Sequence, residues 1–169
     1  MVETTTFVSA VTLDVVSSIN ITRRFDVTPH VLWEAWTDAR SLEKWWAPKP
    51  YKAETRDFDF RPDGHWYYAM TGKDEMHWAA MHYRNVEVLR SFDATSYFIN
   101  DSGLKRTDMP ETVWHVEFKE YGASTMLDVT VTGSEPGALE KLLEMGFEEG
   151  FKAALDNLEK YLNSTILLG

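Results

Sequence analysis

The segment between residues 134 and 162 constrains this chain more than any other. Leu139, Leu142, Leu143, Gly146, Phe147, Ala154, Leu155, Leu158 and Leu162 recur at helical spacing, with Glu140, Glu144, Glu148, Glu149, Asp156 and Glu159 on the other side. Ser134 or Glu135 stands where a cap belongs and Pro136 falls in the first turn. The spacing therefore predicts one amphipathic helix of about 27 residues, roughly 40 Å long. Its apolar stripe needs a surface of matching length. A curved sheet provides one.

The rest of the chain reads as the strands of that sheet. Ile19, Ile21, Arg23 and Phe25 alternate with Asn20, Thr22, Arg24 and Asp26, the period of a strand. Thr28-Pro29 opens a short helix carrying Val31, Leu32, Ala35 and Trp36, and Asp38 caps a second with Leu42, Trp45 and Trp46. Pro48 and Pro50 stop it. Strands follow at residues 52–60, 65–71, 76–89, 92–99, 114–119 and 127–131, punctuated by turns at Arg61-Pro62-Asp63-Gly64, Gly72-Lys73-Asp74 and Tyr121-Gly122. Successive strands with helices gathered at the chain ends predict an α+β fold. Residues 1–18 read as an N-terminal arm or an extra edge strand, with Val11, Leu13 and Val15 alternating. Such an edge could also pair with a second subunit. Residues 19–165 read as one domain.

Composition excludes several functions. With no cysteine, thiolate catalysis and Cys-ligated metal are impossible. A net charge of -10 gives no electrostatic basis for binding nucleic acid or anionic lipid. The first basic residue is Arg23, and the apolar stretch from Phe7 to Val16 is broken by polar residues, so no secretory leader or membrane span is expected and the cytoplasm is the expected compartment. The surplus is aromatic: seven Trp, seven Tyr and nine Phe.

Three motifs in order resemble the activator of Hsp90 ATPase homologue family, within the START/Bet v 1-like (SRPBCC) superfamily of helix-grip domains. The first runs from Ile21-Thr22-Arg23-Arg24-Phe25-Asp26-Val27 through Pro29, Trp33, Ala35-Trp36-Thr37-Asp38 and Trp45-Trp46-Ala47-Pro48. The second is Asp59-Phe60-Arg61-Pro62-Asp63-Gly64-His65-Trp66, and the third is Gly146-Phe147-Glu148-Glu149-Gly150-Phe151 with Leu155, Leu158 and Leu162. The resemblance implies a curved antiparallel sheet of about six or seven strands around a long C-terminal helix, with two short helices near the N-terminus. Asp63, Glu75 and Met81 depart from the family pattern at positions where glycine is common. Met81 implies a smaller or reshaped pocket.

The resemblance and the aromatic spacing together imply a cavity between helix and sheet. The candidate ligand-binding residues are Trp36, Trp46, Phe60, Trp66, Tyr68, Met70, Trp78, His82, Trp114, Val116, Phe147 and Phe151. Whether these rings wall a space or fill it stays open at the level of sequence. Gly146 and Gly150 admit two explanations: close packing of the helix, or room for a ligand. The histidines at 30, 65, 77, 82 and 115 lack metal-site spacing, so no metal or cofactor is expected. His82 or His115 could orient a ligand or act as a general base, whereas Asp57 and Asp59 share a face suited to solvent. The leading expectation is non-covalent binding of a small hydrophobic or aromatic molecule by a monomer or homodimer. A cyclase- or hydrolase-type enzyme is one rival. A module that partners an Hsp90-type chaperone is the other.

Overall fold

Strand polarity, not strand number, organises the architecture: every neighbouring pair in the sheet is antiparallel. The computed structural model describes residues 4–9 and 17–168, with side chains over 17–165. The strands are β1 (Thr4–Ser9), β2 (Ser18–Phe25), β3 (Lys52–Asp59), β4 (His65–Thr71), β5 (Met76–Glu87), β6 (Ser91–Ile99), β7 (Thr112–Tyr121) and β8 (Ser124–Gly133). They form one curved sheet in the order β1-β2-β8-β7-β6-β5-β4-β3. The expected six or seven strands are joined by β1 along β2. The alternation read at Val11, Leu13 and Val15 lies outside the described residues.

Between β2 and β3 the chain crosses through α1 (Pro29–Thr37) and α2 (Ala39–Trp45). Both begin as the sequence predicts. The Thr28 hydroxyl accepts from the Val31 amide ahead of Pro29, and the Asp38 carboxylate accepts from the Ser41 amide at 3.0 Å.

The long helix is not continuous, which corrects the single 27-residue reading. It divides into α3 (Ala138–Glu144) and α4 (Phe147–Leu168). Gly146 takes φ +90°, and its amide bonds back to the Leu143 carbonyl at 3.0 Å. That left-handed residue ends α3 and redirects the chain before α4 starts. The cap also differs. Gly137 precedes Ala138 with no side-chain cap, so neither Ser134 nor Glu135 serves.

The core lies between the inner face of the sheet and the helices. Ile19, Ile21 and Phe25 from β2 meet Leu127, Val129 and Val131 from β8 and Leu155 and Leu158 from α4. Arg23 shares that inward face, with its side chain only 6% exposed, and reaches Asp156 at 2.8 Å and Glu159 at 3.3 Å on α4. A buried cation thus ties the first long strand to the closing helix. Arg23 Nε has no hydrogen-bond partner among the described residues.

Two departures from the family pattern find physical explanations. Asp63 adopts φ 64°, the left-handed geometry for which glycine is the usual residue and aspartate a tolerated one. At Gly64 a Cβ would stand 2.0 Å from the Asp59 carbonyl oxygen, so only glycine fits. Met81 is buried in the core beside Trp66 of β4. It does not line the cavity described below.

Candidate ligand cavity

A cavity of about 340 Å³ lies between the sheet and the closing helices. From α2 and the segment after it come Trp46, Pro48 and Tyr51; from β4 come Tyr68 and Met70; from β5, His77, Trp78 and Ala79; and from β6 and β7, Ser96, Phe98, Thr112 and Trp114. The roof is Leu142, Met145, Gly146, Phe147, Gly150 and Phe151, spanning the α3–α4 junction. Arg106 and Met109 close one side from the loop before β7.

Local rules place these side chains. On β4, Trp66, Tyr68 and Met70 point inward by strand parity, and Trp66 and Tyr68 stack at 3.9 Å between centroids. On α4, Phe147 and Phe151 are one turn apart and lie parallel at 5.6 Å. Trp114 meets both edge-on, at 5.7 and 5.3 Å. Trp46 joins the two groups, lying 5.3 Å from Trp66 and 5.7 Å from Trp114. Offset and edge-on ring pairs of this kind add to the area they bury.

Trp46, Tyr68, Met70, Trp78, Trp114, Phe147 and Phe151, all candidates from the sequence, line the cavity. The other five do not. Trp36, Trp66 and Val116 are buried in the packed core at 2% exposure or less. Phe60 packs with Trp33, Tyr83 and Phe92 away from the cavity. His82 faces outward toward Asp63, its Nε2 3.7 Å from the carboxylate. The aromatic surplus therefore does both things, filling the core with some rings and walling a space with others.

His82 is misplaced because β5 is apolar on both faces around Trp78, Ala79, Ala80 and Met81, so its parity is ambiguous in sequence. Tyr83, its neighbour, takes the inward side. Tyr51, His77, Phe98 and Leu142 line the cavity without having been singled out. Phe98 alternates with Ile99 in a strand that gave a signal. Tyr51 and Leu142 depend on how loop and helix meet the sheet, and His77 lies on β5, whose parity is ambiguous.

Polar chemistry inside the cavity is sparse. Trp46 Nε1 donates to the Tyr68 hydroxyl at 3.0 Å, and Trp114 Nε1 donates to Thr112 Oγ1 at 3.1 Å. Burial pushes the Tyr68 phenol up to about 12, against the opposing pull of the Trp46 hydrogen bond. Tyr68 is thus a neutral donor at any ordinary pH, and its proton has no acceptor among the described residues. Trp36 Nε1, in the packed core, also lacks a partner among the described residues.

His65, His82 and His115 lie on the outer face of the sheet, whereas His77 lines the cavity. His65 bonds Asp57, as the solvent-facing reading of that carboxylate implies. His115 lies between Asp93 and Glu117. Burial lowers the His115 pKa, but its bonds to both carboxylates prevail and raise it above the ordinary value. Neither His82 nor His115 reaches the cavity. Gly146 and Gly150 do line it, and neither is a site of tight packing: a Cβ at Gly146 would meet nothing within 4 Å, and one at Gly150 only Pro48 at 3.8 Å.

The model of a family described as "Activator of Hsp90 ATPase homolog 1-like protein" matches residues 26–163. Among solved structures, a protein from Arthrobacter aurescens is similar with a TM-score of 0.82 at 25% identity, covering 87% of this chain and 86% of that one. Protein Ms6760 from Mycobacterium smegmatis is similar with a TM-score of 0.79 at 29% identity, over 90% and 95% of the two chains. A Staphylococcus epidermidis protein aligns with a TM-score of 0.78 at 26% identity, over 88% and 90%. No curated protein matches the chain.

Proposed function

The chain belongs to the activator of Hsp90 ATPase homolog 1-like family, and we propose that it binds a small hydrophobic or aromatic molecule, without covalent chemistry, in the cavity between sheet and α4. One observation carries the reading. Trp46, Trp114, Phe147 and Phe151 surround about 340 Å³ of space together with Tyr68, a buried neutral donor with no acceptor for its proton among the described residues. Ligand sites have this composition: mostly apolar walls and a few fixed polar groups. A bound molecule exchanges water contact for ring contact, and an acceptor oxygen on it would take the Tyr68 proton.

His82 and His115 face outward, so a cyclase or hydrolase reading would have to rest on His77, the histidine that lines the cavity. The family's name supports a second reading, a module that engages an Hsp90-type chaperone. A pull-down with Hsp90 that changes its ATPase rate would favour it.

The deciding experiment is a thermal-shift screen, followed by native mass spectrometry, against lipids and aromatic metabolites. We expect at least one such compound to raise the transition and to remain bound in a one-to-one complex. If no hydrophobic compound shifts the transition, the cavity is not a ligand site.

A further inference from the structure

We infer that the cavity takes hydrophobic acids, meaning molecules with an apolar aromatic or acyl body and a carboxylate, in preference to amines of the same shape. The inference rests on the proposal that the cavity is a ligand site. It comes from the sign of the charges on the wall. The chain carries 27 Asp and Glu against 17 Lys and Arg. Even so, among the described residues lining the cavity there is no carboxylate, whereas Arg106 is present. An acidic protein has kept its acids out of its principal apolar space.

The surroundings of Arg106 suit it to hold an anion. Asp108 accepts from its Nε at 3.2 Å and from Nη2 at 2.7 Å. This fork fixes the guanidinium plane while Asp108 stays on the solvent side, 67% exposed and off the cavity wall. Nη1 makes no hydrogen bond among the described residues, so donors remain for a carboxylate. Lys141 donates to the Asp108 carbonyl oxygen at 2.6 Å, which brings a second cation to the same rim. Asp108 alone therefore does not cancel the positive charge there. On the part of the rim made by Tyr51 and His77 stands the acid Glu75. It is engaged by the Tyr51 hydroxyl and faces His77 at 3.9 Å.

On the wall between Trp46 and Trp66, the Tyr68 proton is a buried donor without an acceptor among the described residues, and it fits an oxygen rather than an ammonium. An amine entering the cavity would give up its water with no anion on the wall to replace it, and an unpaired buried charge is costly. What remains to it is the ring faces, which draw cations, and neutral acceptors such as the Ser96 and Thr112 hydroxyls. The test includes that rival.

Isothermal titration of the full chain with 2-naphthoate, 2-naphthylmethylammonium, a naphthyl trimethylammonium and neutral 2-methylnaphthalene separates these cases, since all share one apolar body. We expect naphthoate to bind about tenfold or more tighter than either cation, the size expected of a charge-assisted hydrogen bond. Arg106→Gln should bring the ratio of naphthoate to methylnaphthalene affinity close to one. Equal or tighter binding of either cation overturns the inference, as does an acid preference that survives Arg106→Gln. If methylnaphthalene binds while the acid shows no advantage, the charge inference alone fails. If none of the four binds, the preference for hydrophobic acids is overturned, while the ligand-site proposal falls only if the thermal-shift screen also finds nothing.

Discussion

At the scale of single residues, hydrogen-bond satisfaction separates structural from functional side chains. Trp45 Nε1 donates to the Ala35 carbonyl and Trp66 Nε1 to Thr55, so both indoles are fully committed to the core. Tyr68 is committed only as an acceptor. Its removal should therefore have two effects. Tyr68→Phe strands the buried Trp46 N–H, and urea denaturation should show a loss of about 1–2 kcal/mol. The same variant should weaken ligands that carry an acceptor oxygen more than hydrocarbons. His115 yields a prediction of opposite character, because its charge matters and the cavity does not. Its folded pKa is raised, so its contribution is fully present below the unfolded value, about 6.5, and is lost as pH rises through the folded value. The stability difference between the parent chain and His115→Gln should shrink steadily as denaturation is repeated from about pH 6 to about pH 9.

At the scale of elements, the α3–α4 break shows how one glycine decides what the eight apolar positions around it cannot. Leu139, Leu142, Phe147, Ala154 and Leu155 keep helical spacing straight through it, and periodicity alone reads one helix. The left-handed turn at Gly146 is invisible to that count, since a glycine inside an apolar face also serves for close packing or kinking. Gly146→Ala should cost about 1–2 kcal/mol in denaturation because φ +90° is strained for any residue with a Cβ. Gly150→Ala, within α4 and in ordinary contact with Pro48, should instead gain up to about 1 kcal/mol. A pair of equal losses would show that both glycines serve packing. The strands were easier to read. Alternation at Ile19–Phe25 and Trp114–Phe118 gave both the element and its buried side, whereas β5, apolar on both faces, gave only the element.

At the scale of the whole molecule, the closing helix is held from two directions. Leu155, Leu158 and Leu162 bury against the sheet, and Arg23 fixes the same helix through Asp156 and Glu159. The cavity occupies the end where Phe147 and Phe151 stand over Trp114, beyond those anchors. A ligand there contacts helix and sheet together and so stabilises the native state as a unit. At a hundred times its dissociation constant the gain is about 2.7 kcal/mol, which for a domain of this size is a rise in melting temperature of roughly 5–10 °C. A calorimetric scan with a hit from the screen checks it.

The α+β class, the succession of strands, the two capped short helices and the aromatic stock from which the cavity is built were all legible in the amino-acid order. Each of these is local: strand parity, cap chemistry and turn residues act over a few positions. Long-range packing alone sets which rings fill (Trp36 and Trp66, with Val116) and which wall (Trp46, Trp114 and Phe147), that His82 faces out, and that Arg106 joins a rim with no acid among the described residues of the wall. Those outcomes depend on which distant surfaces meet. A side chain's periodicity says which face it shares, but the partner across the gap settles whether that face meets another ring or an open space.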